Sequence, residues 1–271
     1  MKKILFFLFI FIFLAVSLYS HNSNNIVVGT LLPNKKNFND IVDGMKKNLP
    51  NIKIVNLFEK REDVTLIISY ETFFNKSITF HKPIFLLIDS IEEKSKYNSP
   101  LIKQYIILTA SIKSQIKNAL NLLEKGKKLS VVVHNRYILN LLKNFRTKNL
   151  KIFYVKKIGE VPYKIDKALK ETDALLAIPD KTVFNYFSIQ FIFKKAILMG
   201  KYIIGYSEDM LDLGAYAVVV PNFISEGCIL CKSILYFIKK KNVFKKIVYP
   251  SDVKVIKNKN IVENKESPDF S

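Results

Sequence analysis

The sequence predicts an α/β protein of two similar lobes, each built round a parallel sheet. Three observations lead there. Continuous apolar runs such as "KPIFLLID" (Lys82 to Asp89) and "LSVVVHN" (Leu129 to Asn135) lack polar alternation, which marks strands buried on both faces. Helical stretches separate these runs, the order expected of parallel strands joined by right-handed crossovers. The alternation then starts afresh near Leu129, and 271 residues suffice for two lobes with separate cores.

The first series opens with "NNIVVGTLLP", a β-branched run ended by a polar turn, and "NFNDIVDGMKKNLP", an amphipathic helix closed by Pro50. Strands follow at Ile52 to Phe58, Val64 to Tyr70 and Lys82 to Asp89, with "ETFFNKSITF" between the last two as a short helix or turn. A shorter strand, Tyr105 to Thr109, precedes a helix with Ser111 as its N-cap and Gly126 as its stop. In the second series the strands are "LSVVVHN", "LKIFYVKK", "DALLAIPD", "KYIIGYS" and "AYAVVVPN". Helices "RYILNLLKNFRTKN", "VPYKIDKALKET" and "FNYFSIQFIFKKAILMG" alternate with them, and a last helix leads to a basic closing segment. The tail after Asn260 reads as frayed.

Lys2-Lys3 followed by the apolar run Ile4 to Val16 reads as a secretory signal peptide, cleaved after Ser17 or Ser20. The alternative is an uncleaved anchor; no cysteine near the run suggests a lipoprotein. The expected location is therefore outside the cytoplasm, in the periplasm or its equivalent. Membrane contact is expected only through an uncleaved N-terminus, beyond a weak attraction of the Lys-rich surface to anionic lipid. The net charge of +20 invites a nucleic-acid reading, yet only Arg61, Arg136 and Arg146 are arginines and the lysines are spread along the whole chain. Nucleic acid is excluded as a partner on that ground.

No GxSxG, Walker A loop, GxGxxG or HExxH occurs, and His21, His81 and His134 are scattered, so neither an enzyme nor a metal or cofactor is expected. Cys228 and Cys231 lie at helical spacing in "FISEGCILCKSILYFIKK". They read as small apolar residues on a buried helix face or, in an oxidising compartment, as a disulfide. In "DALLAIPDKTVFN" a strand ends at Ile178 and Pro179 stops its pairing, which puts Asp180 at a strand's carboxyl end. Asp180 or Thr182 caps the next helix, or Asp180 faces a ligand. Gly214-Ala215 reads as a closely packed turn.

Pro179-Asp180-Lys181-Thr182, Gly205-Tyr206-Ser207 and Gly214-Ala215-Tyr216-Ala217, in this order between strands and helices, resemble the ABC-transporter substrate-binding family of the tryptophan- and tyrosine-binding type. The likeness runs from Ile26 to about Val255 in element order, with its motifs confined to Asp173 to Val220. It implies the type I periplasmic-binding-protein fold: two Rossmann-like lobes joined by crossing strands, with a ligand cleft between them and hinges near Thr109 to Ser111 and Val220 to Phe223. Departures are the Lys-Asn-rich stretch after the first strand, Tyr70-Glu71 where small residues are usual, and the missing lipobox cysteine.

The expected division is a signal peptide over 1–20, an N-terminal lobe over 26–110 and a helix near the crossing over 111–128. A C-terminal lobe over 129–220, a return helix and closing segment over 221–258 and a disordered tail over 259–271 complete it. The ligand-facing loop ends are then Leu32 to Asn34, Ser69 to Thr72, Asp89-Ser90, His134-Asn135, Asp180 to Thr182 and Ser207-Glu208. Ser69 and Thr72 suit a carboxylate, and Asp89, Asp180 or Glu208 an ammonium group. Asn135, Thr182 and Ser207 add hydrogen-bonding groups, while Tyr70, Tyr137 or Tyr206 covers an apolar part. The function so implied is capture of a small, amino-acid-like solute, with an ABC permease as partner. The alternative is an exported or membrane-tethered sensor or scaffold that kept the fold without transport.

Overall fold

Twelve strands and the helices that cover them account for most of the described residues, which in this computed structural model are 26–261 except 60, 61, 90, 146 and 244. The expected signal peptide and the tail beyond residue 261 lie outside them. In chain order the strands are β1 (Val27–Leu31), β2 (Lys53–Asn56), β3 (Leu66–Tyr70), β4 (Ile84–Ile88), β5 (Ile102–Ile107), β6 (Leu129–Val133), β7 (Leu150–Tyr154), β8 (Ala174–Leu176), β9 (Tyr202–Gly205), β10 (Ala217–Pro221), β11 (Ile247–Val248) and β12 (Val253–Lys257). The helices are α1 (Lys36–Asn48), α2 (Phe74–Ile78), α3 (Ile112–Leu122), α4 (Arg136–Leu142), α5 (Val161–Glu171), α6 (Tyr186–Leu198), α7 (Asp209–Asp212) and α8 (Phe223–Lys240).

The chain divides into two units, the first comprising residues up to Leu108 together with Phe223–Val248, the second Thr109–Asn222 together with Tyr249 onward. The expected closing segment is thus split between them, and the passage at Val248-Tyr249 has no counterpart among the expected crossings. Unit 1 holds the sheet β2-β1-β3-β4-β5-β11, every neighbouring pair parallel. Unit 2 holds β7-β6-β8-β9-β10-β12, parallel except for β12, which runs antiparallel to β10. Each sheet therefore has the doubly wound order 2-1-3-4-5, with a switch point between β1 and β3 in one and between β6 and β8 in the other. Central strands such as β4 and β6 are buried at every position, the physical reason their sequences read as unbroken apolar runs.

Local chemistry sets the helix ends. Ser111 caps α3 by accepting the Ser114 N–H at 3.2 Å, but the helix stops at Leu122, short of Gly126, which forms a later turn at φ +89°. Neither Asp180 nor Thr182 caps α6. Asn185 does, accepting the Phe187 and Ser188 N–H groups at 3.0 Å each, while the Ser188 hydroxyl accepts the Asn185 N–H at 3.1 Å to complete a capping box. Gly214 turns the chain after α7 at φ +98°, a region that favours glycine.

Within unit 1, α8 crosses α1 at backbone contact. A Cβ on Gly44 would lie 2.3 Å from the Ile224 carbonyl oxygen, and one on Gly227 would lie 2.3 Å from that of Ile41. Next to this crossing both cysteines are free thiols. Cys231 is buried, its S–H directed at the Met45 carbonyl (3.6 Å), and burial, then the neighbouring Cys228, pushes its thiol up to about 12. The Cys228 sulfur accepts from Asn48 Nδ2 at 3.0 Å. Glu226, fully buried in the first turn of α8, has no hydrogen-bond partner for either carboxyl oxygen, and burial alone pushes its pKa up to about 8.

Gly227→Ala should destabilise the protein by about 1–3 kcal/mol in chemical unfolding, because the methyl group overpacks the helix crossing. Glu226 should make stability depend on pH. Its folded pKa is raised, so the neutral acid favours the fold below the ordinary value of 4.5, and that contribution is lost as pH rises through about 8. Melting temperatures of Glu226→Gln should therefore fall less than those of the unaltered protein across this window.

Candidate functional site

In doubly wound sheets the loops that leave the carboxyl ends of the strands at the switch point form the binding crevice. In unit 1 those loops follow β1 and β3, with β4 next in line. Tyr70 ends β3, and its ring packs on Phe38 of α1 at 4.9 Å between centroids, bridging the switch point. Its hydroxyl donates to both oxygens of Asp89, at 2.9 and 3.0 Å, just beyond β4. The Asp89 N–H in turn donates to Glu71 Oε2 at 3.3 Å. Burial, and after it the Asp89 charge, raises the Tyr70 pKa, so the phenol stays a donor at neutral pH. One phenolic hydrogen leaves most lone pairs of the half-buried Asp89 carboxylate open. Of the expected anion-holding pair, Thr72 is exposed, whereas Ser69 is fully buried and donates to the Tyr70 carbonyl at 3.2 Å.

Unit 2 treats the same place differently. Asp180, beyond β8, is 2 % exposed and accepts four backbone N–H bonds. Its Oδ2 takes those of His134 (2.7 Å) and Asn135 (2.9 Å) at the end of β6; its Oδ1 takes those of Thr182 (3.0 Å) and Val183 (3.3 Å). A carboxylate offers about four acceptor positions, so this one is saturated by the protein itself. Asn135 caps α4, its Oδ1 accepting from Tyr137 and Ile138 N–H at 2.8 and 3.2 Å. His134 Nδ1 lies 3.0 Å from the Val155 carbonyl, which only accepts, so Nδ1 carries a proton and donates it there. Thr182 and Ser207 are half-buried and Glu208 is exposed at the turn into α7. Tyr137 is half exposed, and burial, then the neighbouring Tyr137, raises the pKa of the half-buried Tyr249 phenol.

The structure thus brings Tyr70, Glu71 and Asp89 together in unit 1, and His134, Asn135, Asp180 and Thr182 in unit 2. Sequence reasoning overlooked Glu71 as a partner of Asp89, and it overlooked Asn185 as a cap. The Asn-x-x-Ser spacing before an apolar run was the available signal for the second. Among the described residues no group of three or more His, Cys, Asp or Glu side chains stands together to hold a metal. No described helix is long and apolar enough to cross a membrane.

No protein-family model matches the sequence, and no curated protein does. Solved structures do match at low identity. One is a substrate-binding protein with adhesive properties from Clostridium difficile in its ligand-free, open form, with a TM-score of 0.61 at 16 % identity over 91 % of this chain and 96 % of that one. The fold is type I periplasmic-binding-protein-like. A protein from Streptococcus pneumoniae solved in complex with L-Trp gives a TM-score of 0.51 at 14 % identity, covering 89 % of this chain and 94 % of its own. A conserved domain protein from Vibrio cholerae gives 0.51 at 14 %, over 88 % and 93 %. At such identity the likeness establishes the fold, and with it the expected α/β architecture.

Because Asp180 binds both loops of the unit 2 switch point, Asp180→Asn should lower the unfolding free energy by about 3 kcal/mol, as its amide nitrogen opposes two buried N–H donors. A urea titration measures this; an unchanged midpoint would show that water replaces the lost bonds.

Proposed function

We propose that the chain is an exported solute-binding protein that takes a small, amino-acid-like ligand at the carboxyl-edge loops of its units. The single observation that carries this is the Tyr70–Asp89 pair with Glu71 behind it: a half-buried carboxylate with open lone pairs, at the place where this fold presents ligands. That geometry suits an ammonium group. Thr72 is the further polar contact proposed in unit 1, with Ser69 shaping the backbone beneath it. In unit 2, taken by itself, the polar groups proposed are Asn135, Thr182, Ser207 and Glu208, on loops that Asp180 shapes. The resemblance to substrate-binding proteins, and the apolar Ile4 to Val16 segment, support a role outside the cytoplasm with an ABC permease as partner. Binding, with no chemical step, is the role these groups serve.

One observation favours a second reading, the sensor or scaffold that kept the fold. At its own switch point unit 2 fills the anchoring position with Asp180, as a protein relieved of ligand contacts there would.

Native mass spectrometry of the chain lacking Met1–Ser20, followed by thermal shifts with amino acids, peptides, nucleosides and sugars, separates the two. A co-purified solute, or stabilisation by ammonium-bearing compounds, is the expected result. Asp89→Asn should then weaken that ligand about 30-fold, or ~2 kcal/mol, without changing the melting temperature of the unliganded protein. A bare mass and no shift across the panel would favour the sensor.

A further inference from the structure

Helix α6 is apolar on the side that faces the core and apolar again on the side that faces water. Ile192, Phe193 and Ala196 are buried against the sheet. On the opposite side Tyr186, Phe187, Ile197 and Leu198 are 77 %, 88 %, 59 % and 77 % exposed, and Phe191 is 48 % exposed. At 3.6 residues per turn these five, with exposed Gln190 and Lys194 among them, fall within an arc of about 140°. A soluble helix ordinarily places charged side chains there, and a contiguous apolar stripe of this kind marks a contact surface.

We propose that this stripe is a docking face for an anionic lipid surface. The charge of the chain selects that occupant. No acidic residue occurs in α6, and the whole chain carries +20, so a second copy of the chain would be repelled where an anionic surface is drawn in. Lys195 pairs with Asp166 of α5 at 2.5 Å at the border of the stripe, its ammonium 5.6 Å from the centre of the Phe191 ring, and Lys194 is exposed on the stripe itself. Aromatic rings flanking a lysine are the composition that settles at the boundary of headgroups and acyl chains: the rings enter the apolar layer and the ammonium stays with phosphate. The face shares no residue with the loops proposed to bind solute, although it begins just after Thr182, and it does not depend on that reading.

The chain contains no tryptophan, which makes the test direct. Phe187→Trp in the full chain gives one reporter on the stripe, blind to whether Ile4 to Val16 also enters lipid. The variant is mixed with phosphatidylcholine vesicles with and without phosphatidylserine, some carrying brominated acyl chains. The expected result is a blue-shifted emission, quenched by the brominated lipid, in the anionic vesicles, and reversed by high salt. Lys194→Gln in this background should move the bound–free equilibrium of the face about fivefold toward water. Phe191→Ser should move it about tenfold or more. Emission that stays water-like in every vesicle would overturn the proposal. So would a blue shift that grows with protein concentration in the absence of lipid, which would make the stripe a contact between copies. Far-ultraviolet circular dichroism like that of the unaltered chain confirms that each variant is folded.

Discussion

The Asp180 carboxylate holds together the part of unit 2 most prone to come apart. Strands β6 and β8 are hydrogen-bonded neighbours, yet the chain leaving them departs to helices on opposite faces of the sheet. Backbone ladders end there, and the N–H groups of the departing loops need acceptors that no strand can supply. One side chain supplies four, two for each loop, from a position buried to 2 % exposure. The positions of Asn135, of Thr182 and of both following helix starts rest on that anchor.

Unit 1 has the same strand order and a different solution. There the switch point is bridged by a ring contact, and the carboxylate lies one strand further along, on Asp89, held by a phenol and by its own N–H bonded to Glu71. A phenol occupies far less of a carboxylate than four backbone groups do. The two units are therefore alike in topology and unlike in the chemistry they leave open, and the proposed binding role draws on that asymmetry.

The fold was legible because both sheets are covered on both faces. Runs such as Ile84 to Ile88 and Leu129 to Val133 have no solvent side to encode, so burial is written into every residue. The ends of elements were less legible. Ala177 and Ile178 are as apolar as the strand before them, yet β8 stops at Leu176, because pairing depends on a neighbour and not on hydropathy. Strands β11 and β12 escaped notice since they are short or carry exposed lysines, as edge strands tend to. At the site, sequence order located the loop ends correctly in kind: Asp180 and Asp89 both lie just beyond strands. Which of the two is saturated depends on hydrogen bonds to residues some 45 and 19 positions away, and spacing along a chain does not carry that information.

Unit 1 is not continuous in the chain: α8 and β11, made from Phe223–Val248, complete a sheet whose other strands end at Ile107. The glycine crossing of α1 and α8 is the seam of that completion. A chain emerging N-terminus first thus exposes the β5 edge and the bare flank of α1 while Thr109–Asn222, most of the second unit, is made. Neither unit is complete before the other is begun, and β12 of unit 2 follows β11 of unit 1. That order leaves the first unit without its last helix and its edge strand until most of the second has emerged.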